Sequence, residues 1–465
     1  MTATERMFEG AEHYAGTGLA HAYASEDLAD VQRILGRQYH AVVGNPPYIV
    51  VKDSTVSAAY RARYASCHRQ YSLGVPFTER FFDLAFSAGQ SGSGGFVGLI
   101  TANSFMKREF GSKLIEEFLP RIDLTHILDT AGAYIPGHGT PTTILFGRNR
   151  KPYSLTVRVV MGVKGEPGTP PDPSAGAVWT SIKEFIDTPG SANDFVSTED
   201  VDRTIVSKHP WSLGGQGLIN LLERLRDQSS RRMVDYNPKI GAVALTRFDD
   251  AYILDRATIS RLGLTDSYSC EYISGEDVRD WCITPQFQAI WPYESDGASL
   301  SNFASVQRVL WPFRSQLLER VAFGKTQAER GLPWHEYSML FQKRFNASIA
   351  ISFSNVATHN HFAVVGGKRI FNAHAPLIIL ERDQSFEEYA SLAGALNSSI
   401  ACLWMKQTFH NKGSTVDSKG ARQRTDAFED FYEFTGTGLV DFPLPKQLPR
   451  AQAKRLVKLA EDWAA

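Results

Sequence analysis

The chain has 465 residues, 43% of them hydrophobic and 21% charged, with a formal net charge of −1. That length exceeds what one apolar core organises, so two or three domains are expected, and the near-neutral balance excludes binding of nucleic acid through a global basic field. Cys67, Cys270, Cys282 and Cys402 stand apart with no C-x-x-C spacing, which argues against a disulfide or zinc framework and for reduced thiols in a cytoplasmic protein. No apolar run approaches about 18 residues and the N-terminus lacks a basic-then-apolar leader, so a soluble intracellular protein without membrane contact is expected.

Residues 1–24 are small and polar without clear periodicity, and residues 26–35 carry apolar side chains at 28, 31, 34 and 35, a short amphipathic helix. An apolar strand over 39–43 then delivers Gly44-Asn45-Pro46-Pro47-Tyr48. The Asn45 side-chain carbonyl can accept a hydrogen bond from an amine. The two prolines lack N–H groups and fix φ near −65°, which holds the carbonyls around them in set directions. The Pro46 carbonyl is therefore a second acceptor for the same –NH₂, and Tyr48 offers a flat face for stacking. Two acceptors on an exocyclic amine plus a stacking ring describe a pocket for an extruded adenine; a proline-rich turn with Asn as turn former is the plainer reading of the same residues.

Residues 51–75 are polar and aromatic (Tyr60, Arg61, Arg63, Tyr64, His68, Arg69, Tyr71), either a solvated helix and loop or a loop whose cations meet phosphate. A buried helix is expected over 77–90, a Gly/Ser turn over 91–95, a strand over 96–100 ending at Thr101-Ala102-Asn103-Ser104-Phe105, a helix over 107–119 stopped by Pro120, and strands over 124–128 and 140–146. Alternation of strand and helix with apolar strands points to a doubly wound α/β sheet with crossover helices. Residues 162–176 are Gly/Pro-rich and read as loop, residues 217–228 as helix, and 151–239 together as a connector. After Lys239 short strands are expected over 240–246, 274–281, 290–293, 349–353, 361–365 and 375–380, with a helix over 392–409.

Asn-Pro-Pro-Tyr after an apolar strand resembles the catalytic motif of N6-adenine DNA methyltransferases. The order that follows (helix, Gly turn, strand, "NSF", helix, strand, hairpin-like strand) is similar to that family as well. The pieces "TRFDDAYIL", "YISGEDVRDW", "IWPYE", "FNAHAPLIIL" and "LAGALNSSIACLWMKQ" resemble the target-recognition region of large single-chain adenine methyltransferases of restriction–modification and phage defence. The run from Tyr39 past "NSFMKREFGSKL" is most similar to the methyltransferases of BREX-type phage-defence systems.

The resemblance implies part of a Rossmann-like class I methyltransferase domain over 1–150, the connector over 151–239, and a mixed α+β target-recognition domain over 240–465. It implies catalysis by Asn45, Pro46, Pro47 and Tyr48, stacking of the base by Tyr48 and Phe110 with Phe105 as runner-up, S-adenosyl-L-methionine as methyl donor, no metal, and double-stranded DNA with a flipped adenine as partner, possible further partners being other defence-system subunits. Hydrogen bonds from N6 to Asn45 and Pro46 would localise the nitrogen lone pair and stabilise the positive charge that develops as the methyl arrives. The family's Gly-rich loop of the type Asp/Glu-x-x-x-Gly-x-Gly does not precede Asn45, so the chain is expected to begin part-way through the catalytic domain, and the residues that bind the cofactor are not identified. Lys406, His410, Lys412, Lys419, Arg422 and Arg424 lie among Gly, Ser and Thr with Asp417 as the one acid before Asp426. The five lysines and arginines are candidate DNA-backbone contacts, with a solvated surface loop as the alternative.

Two other functions stay open from sequence: a non-catalytic DNA-recognition fragment or subunit that needs a separate cofactor-binding chain, and an unrelated α/β enzyme with a coincidental Pro-Pro turn. A nuclease is disfavoured, because no Asp…Glu-x-Lys cluster is found.

Overall fold

The computed structural model describes residues 28–89, 93–137, 139–213, 216–264, 266–279, 281–294, 297–300, 304–381, 384–413 and 430–464. The chain divides into two compact units, residues 1–219 with 413–429, and residues 220–412 with 430–465. Among the described residues no helix is long and apolar enough to cross a membrane.

The first unit is built on a six-stranded mixed sheet. Its strands are β1 (Ala41–Gly44), β2 (Phe96–Ala102), β3 (Asp123–Asp129), β4 (Thr142–Arg148), β5 (Thr156–Gly162) and β6 (Val196–Asp202), in the order β1-β2-β4-β3-β5-β6. β1 runs parallel to β2 with Gly44 opposite Leu99, and β3 runs parallel to β5. β4 is antiparallel to both β2 and β3, and β6 is antiparallel to β5. The sheet is therefore α/β but not uniformly parallel. Residues 130–141 connect β3 to β4, and the chain returns antiparallel, with Leu128 opposite Ile144 and Asp129 opposite Thr143.

The helices of this unit that precede β2 among the described residues are α1 (Leu28–Leu35), α2 (Ser54–Arg63) and α3 (Gly74–Leu84). α2 begins where the Asp53 carboxylate accepts from the Thr55 and Val56 amides, at 2.8 and 3.0 Å, a side-chain cap that satisfies two orphan donors. α3 lays Phe82 into the main apolar cluster with Val97, Leu99, Leu124 and Leu145. It ends at Leu84, earlier than the helix expected over 77–90.

The helix expected over 107–119 is instead a series of tight turns: Asn103–Met106, Glu109–Gly111, a wide helical turn Leu114–Phe118, and Leu119–Arg121. Gly111 explains the break. A Cβ there would stand 1.8 Å from the Phe105 carbonyl oxygen, so the chain folds back on itself at a distance only glycine permits.

In place of a connector over 151–239, residues 156–162 and 196–202 form β5 and β6 of the same sheet, with α4 (Ala177–Phe185) between them. Val157, Val159, Val160, Val196 and Val201 are fully buried, and Arg158 pairs across the ladder with Asp200. Burial of those valines is what draws the segment onto the sheet. The ends of β3, β4 and β6 are held by Asp123, 2% exposed, whose carboxylate accepts from Arg150 Nε at 2.8 Å and Arg203 Nη2 at 2.7 Å.

The second unit is mixed, with short strands. One sheet orders Phe362–Gly366, Ile349–Phe353, Leu377–Ile379 and Lys239–Gly241; another orders Ile253–Asp255, Phe287–Ile290, Ser269–Ile273 and Ile370–Phe371. Their shared core is aromatic, with Trp291 stacked on Phe345 at 4.3 Å and set against Tyr293 and Tyr337. Among the described residues of the strand expected over 274–281, Val278–Arg279 pair with Cys282–Ile283 and most of the others form a turn. The single helix expected over 392–409 is two helices, Phe386–Leu396 and Ser399–Thr408, because Ser398 turns its hydroxyl to the Ala401 amide and starts a new N-terminus.

Candidate functional site

β1 leaves the sheet at Gly44, and the 45–48 motif follows directly. A Cβ on Gly44 would stand 2.8 Å from the Phe81 ring, so glycine at this position lets α3 press on the strand where the motif begins. Asn45 and Pro47 are exposed, Pro46 is buried and Tyr48 is half-buried. Buried Pro46 anchors the turn while Asn45 stays accessible. Burial pushes the Tyr48 phenol above its usual pKa, so the ring is neutral across the physiological range.

Beyond Tyr48 the chain is fixed to the start of α3. The Leu73 amide donates to the Ile49 carbonyl at 2.8 Å, and Val50 pairs with Ser72. Adjacent β2 runs in the same direction and releases Asn103-Ser104-Phe105-Met106 in the turn just past Ala102. Both sequence motifs therefore emerge at the carboxyl ends of neighbouring parallel strands, the end at which open α/β sheets bind ligands. The structure brings the "NPPY" and "NSF" segments to one edge.

Residues 51–75 are helix α2 followed by a loop, and parts of both are tied down. Tyr71 is buried and donates to the Ser57 carbonyl at 2.9 Å, with the Arg61 guanidinium 5.4 Å from its ring. Arg69, at φ 54°, meets Glu109 at 2.8 Å. That ion pair joins the loop to the turn carrying Phe110. Phe110 itself is 7% exposed and packs in the main apolar cluster, and Phe105 is 2% exposed against Trp211. Tyr48 is the accessible ring of the three.

Of the candidate backbone contacts, Lys406 lies in the last turn of the helix Ser399–Thr408 with its Nζ 5.5 Å from the Tyr432 ring. Lys412 is exposed on the strand His410–Gly413. Lys419, Arg422 and Arg424 lie outside the described residues. The second unit also carries a cleft of about 980 Å³ whose walls include Lys239, Arg330, Lys343 and Arg344. Sequence reading passed over these four cations, because they are scattered along the chain and only the fold gathers them.

Residues 11–135 match the family described as Eco57I restriction-modification methylase. Over 95% of its length the chain is 42% identical to the adenine-specific methyltransferase PglX of Streptomyces coelicolor, and it covers 37% of that protein. It is also 25% identical to the Type II methyltransferase M.XhoI of Xanthomonas vasicola, over 58% of this chain and 48% of the relative. The chain thus spans less than half the length of these curated relatives. Among solved structures, the Type IIL restriction-modification enzyme MmeI, determined in complex with DNA, shares the fold with a TM-score of 0.57 at 10% identity, over 94% of this chain and 50% of that one. The resemblance to N6-adenine DNA methyltransferases drawn from the motifs extends along nearly the whole chain.

Proposed function

We propose that this chain carries the base-binding motif and the DNA target-recognition part of an S-adenosyl-L-methionine-dependent DNA adenine-N6 methyltransferase, acting in phage defence of the BREX type or in restriction–modification. The observation that carries the proposal is Asn45 standing exposed at the carboxyl end of β1, next to the Asn103–Met106 turn. The first unit is then part of a Rossmann-like class I domain, and residues 240–465 recognise the DNA.

In this reading the N6 hydrogens of a flipped adenine are accepted by the Asn45 amide oxygen and the Pro46 carbonyl. Those bonds draw N6 toward tetrahedral geometry and favour the positive charge that forms on it. Tyr48 stacks on the base and offsets part of the unstacking cost. Phe110 is the second stacking candidate; at 7% exposure, that role requires the turn Glu109–Gly111 to open. Bound S-adenosyl-L-methionine supplies the electrophilic methyl. No residue of this chain is assigned to hold it, and no step is derived through it.

A second reading has one observation in its favour. Among the described residues β1 is laddered on one side only, and Val43 is 78% exposed. A cofactor-binding portion could complete the sheet along that edge, from the same or a separate polypeptide. Transfer of labelled methyl groups to DNA, with Asn45→Ala as control, tests the activity: loss of one such acceptor is expected to lower turnover about a hundredfold or more. Calorimetry with S-adenosyl-L-methionine separates the two readings. Micromolar binding places the cofactor site on this chain, whereas no binding, with transfer restored by an added cofactor-binding polypeptide, supports the second.

A further inference from the structure

We propose that Phe323 is an aromatic wedge that enters the base stack of bound duplex DNA, an inference that rests on reading residues 240–465 as the DNA-recognition part. β7 (Val321–Ala322) and β8 (Lys325–Thr326) pair as a hairpin closed by Phe323 and Gly324 alone. Both turn residues have positive φ, 55° and 76°, as the tightest hairpin turns require. Glycine adopts that conformation freely, but a bulky side chain there is a clear outlier. Packing does not account for it, since Phe323 is 82% exposed. The chain therefore holds a large apolar ring in water, in a costly backbone conformation, at a position where folding gains nothing from it. Strain of this kind points to a contact made by the tip.

The tip is rooted in the interior. Arg320, 5% exposed, donates to the carbonyls of Leu317, Thr246, Trp334 and Glu336. On the other side Gln327 is fully buried and donates to the Pro333 carbonyl at 3.1 Å. The Glu329 carboxylate accepts from the Thr326 amide and hydroxyl at 2.7 and 2.9 Å. A hairpin backbone anchored in this way loses little freedom when its tip makes a contact.

The surroundings select the partner. Phe323 lines the cleft of about 980 Å³ together with Lys239, Arg330, Lys343 and Arg344. The four cations of that cleft outnumber its two acids, of which Glu336 is 8% exposed and accepts from Ser299, and Glu381 accepts from Asn237. Lys239, Lys343 and, on the hairpin itself, Lys325 are exposed. A cationic wall beside one projecting ring matches a polyanion with a stacked apolar interior. Apolar side chains wedged between base steps unstack and kink a duplex in this way.

The test relaxes a closed circular plasmid with topoisomerase in the presence of the full chain, then removes the protein and reads the linking number, with binding to mixed-sequence duplexes measured in parallel. The unaltered protein is expected to change the plasmid's linking number. Phe323→Ala is expected to abolish that change and weaken binding about tenfold, with the slope of log K against log salt unchanged because the ring neutralises no phosphate. Phe323→Trp should restore both. Phe323→Gly should lose them at an equal or higher melting temperature, since glycine relieves the backbone. Wild-type affinity and unwinding in Phe323→Ala would overturn the wedge, as would weakened binding that simply tracks a lowered melting temperature. No DNA binding by the unaltered chain would instead overturn the DNA-recognition reading, and the wedge with it.

Discussion

Replacing Gly44 by alanine tests whether the packing of α3 on β1 sets the position of the 45–48 motif. The new Cβ would meet two Phe81 ring carbons at 2.8 and 2.9 Å, where ordinary contact begins at 3.4 Å. The strand end or the ring must therefore move by about 0.6 Å, the difference between 3.4 and 2.8 Å. Overpacking of this kind costs about 1–3 kcal/mol. Asn45 is the next residue, so the displacement passes directly into the proposed acceptor, and a misplacement near 1 Å can cost about a hundredfold in rate. Urea denaturation of Gly44→Ala should show a lower midpoint at unchanged slope, and methyl transfer measured well below that midpoint should fall about ten- to a hundredfold. Phe81→Leu in the same chain should recover part of both losses, because the shorter side chain vacates the space the methyl needs. A wild-type midpoint for Gly44→Ala, or a double variant no better than the single, would refute the reasoning.

Asp123→Asn should destabilise the first unit by about 3–5 kcal/mol, since it leaves the guanidinium groups of Arg150 and Arg203 without their buried counter-charge; chemical denaturation reads this, and a loss below about 1 kcal/mol would count against it. Burial, aided by Arg158, holds the His126 imidazole below its ordinary pKa of 6.5. The unfolded chain therefore takes up this proton first as pH falls. The stabilisation is complete above about pH 6.5 and lost as pH drops through the folded value, and His126→Gln should reduce the slope of stability against pH there by at most about 1.4 kcal/mol per unit. Tyr48→Phe should keep methyl transfer within a few-fold while Tyr48→Ala loses it, because stacking needs the ring and not the hydroxyl. Lys412→Ala should lower the salt slope of DNA binding by about one without changing sequence preference, and an unaltered slope would remove Lys412 from the backbone contacts.

Much of the first unit could be read from the chain because its strands are apolar runs. The segments 41–43, 96–100, 124–128 and 140–146 each lie within or beside an observed strand. β6 was hidden by its acids: Glu199, Asp200 and Asp202 make Val196–Asp202 look like a solvated loop, although Val196, Thr198 and Val201 are buried and Arg158 answers Asp200 from the neighbouring strand. The apolar spacing at 110, 114, 115, 118 and 119 suits a helix, and the close approach at Gly111 that prevents one is a tertiary fact no local pattern encodes. The motif at 45–48 was legible because rigid residues and an amide sit in consecutive positions. The cationic cleft was not, since Lys239 and Lys343 are brought together only by long-range pairing.

The position of β4 bears on the order in which this molecule assembles. β3 and β4 are neighbours in the chain and can zip together as a local hairpin, whereas β2 pairs with β4 across a separation running from Phe96 to Arg148. β1 adds to β2 in parallel only after the residues between Gly44 and Phe96 have been gathered in. Loop closure makes such distant parallel pairings the slow ones. The strand that presents Asn45 leaves the ribosome first among the six yet depends on a pairing about 55 residues distant, so the proposed catalytic corner is expected to take its geometry more slowly than the β3–β4 hairpin forms.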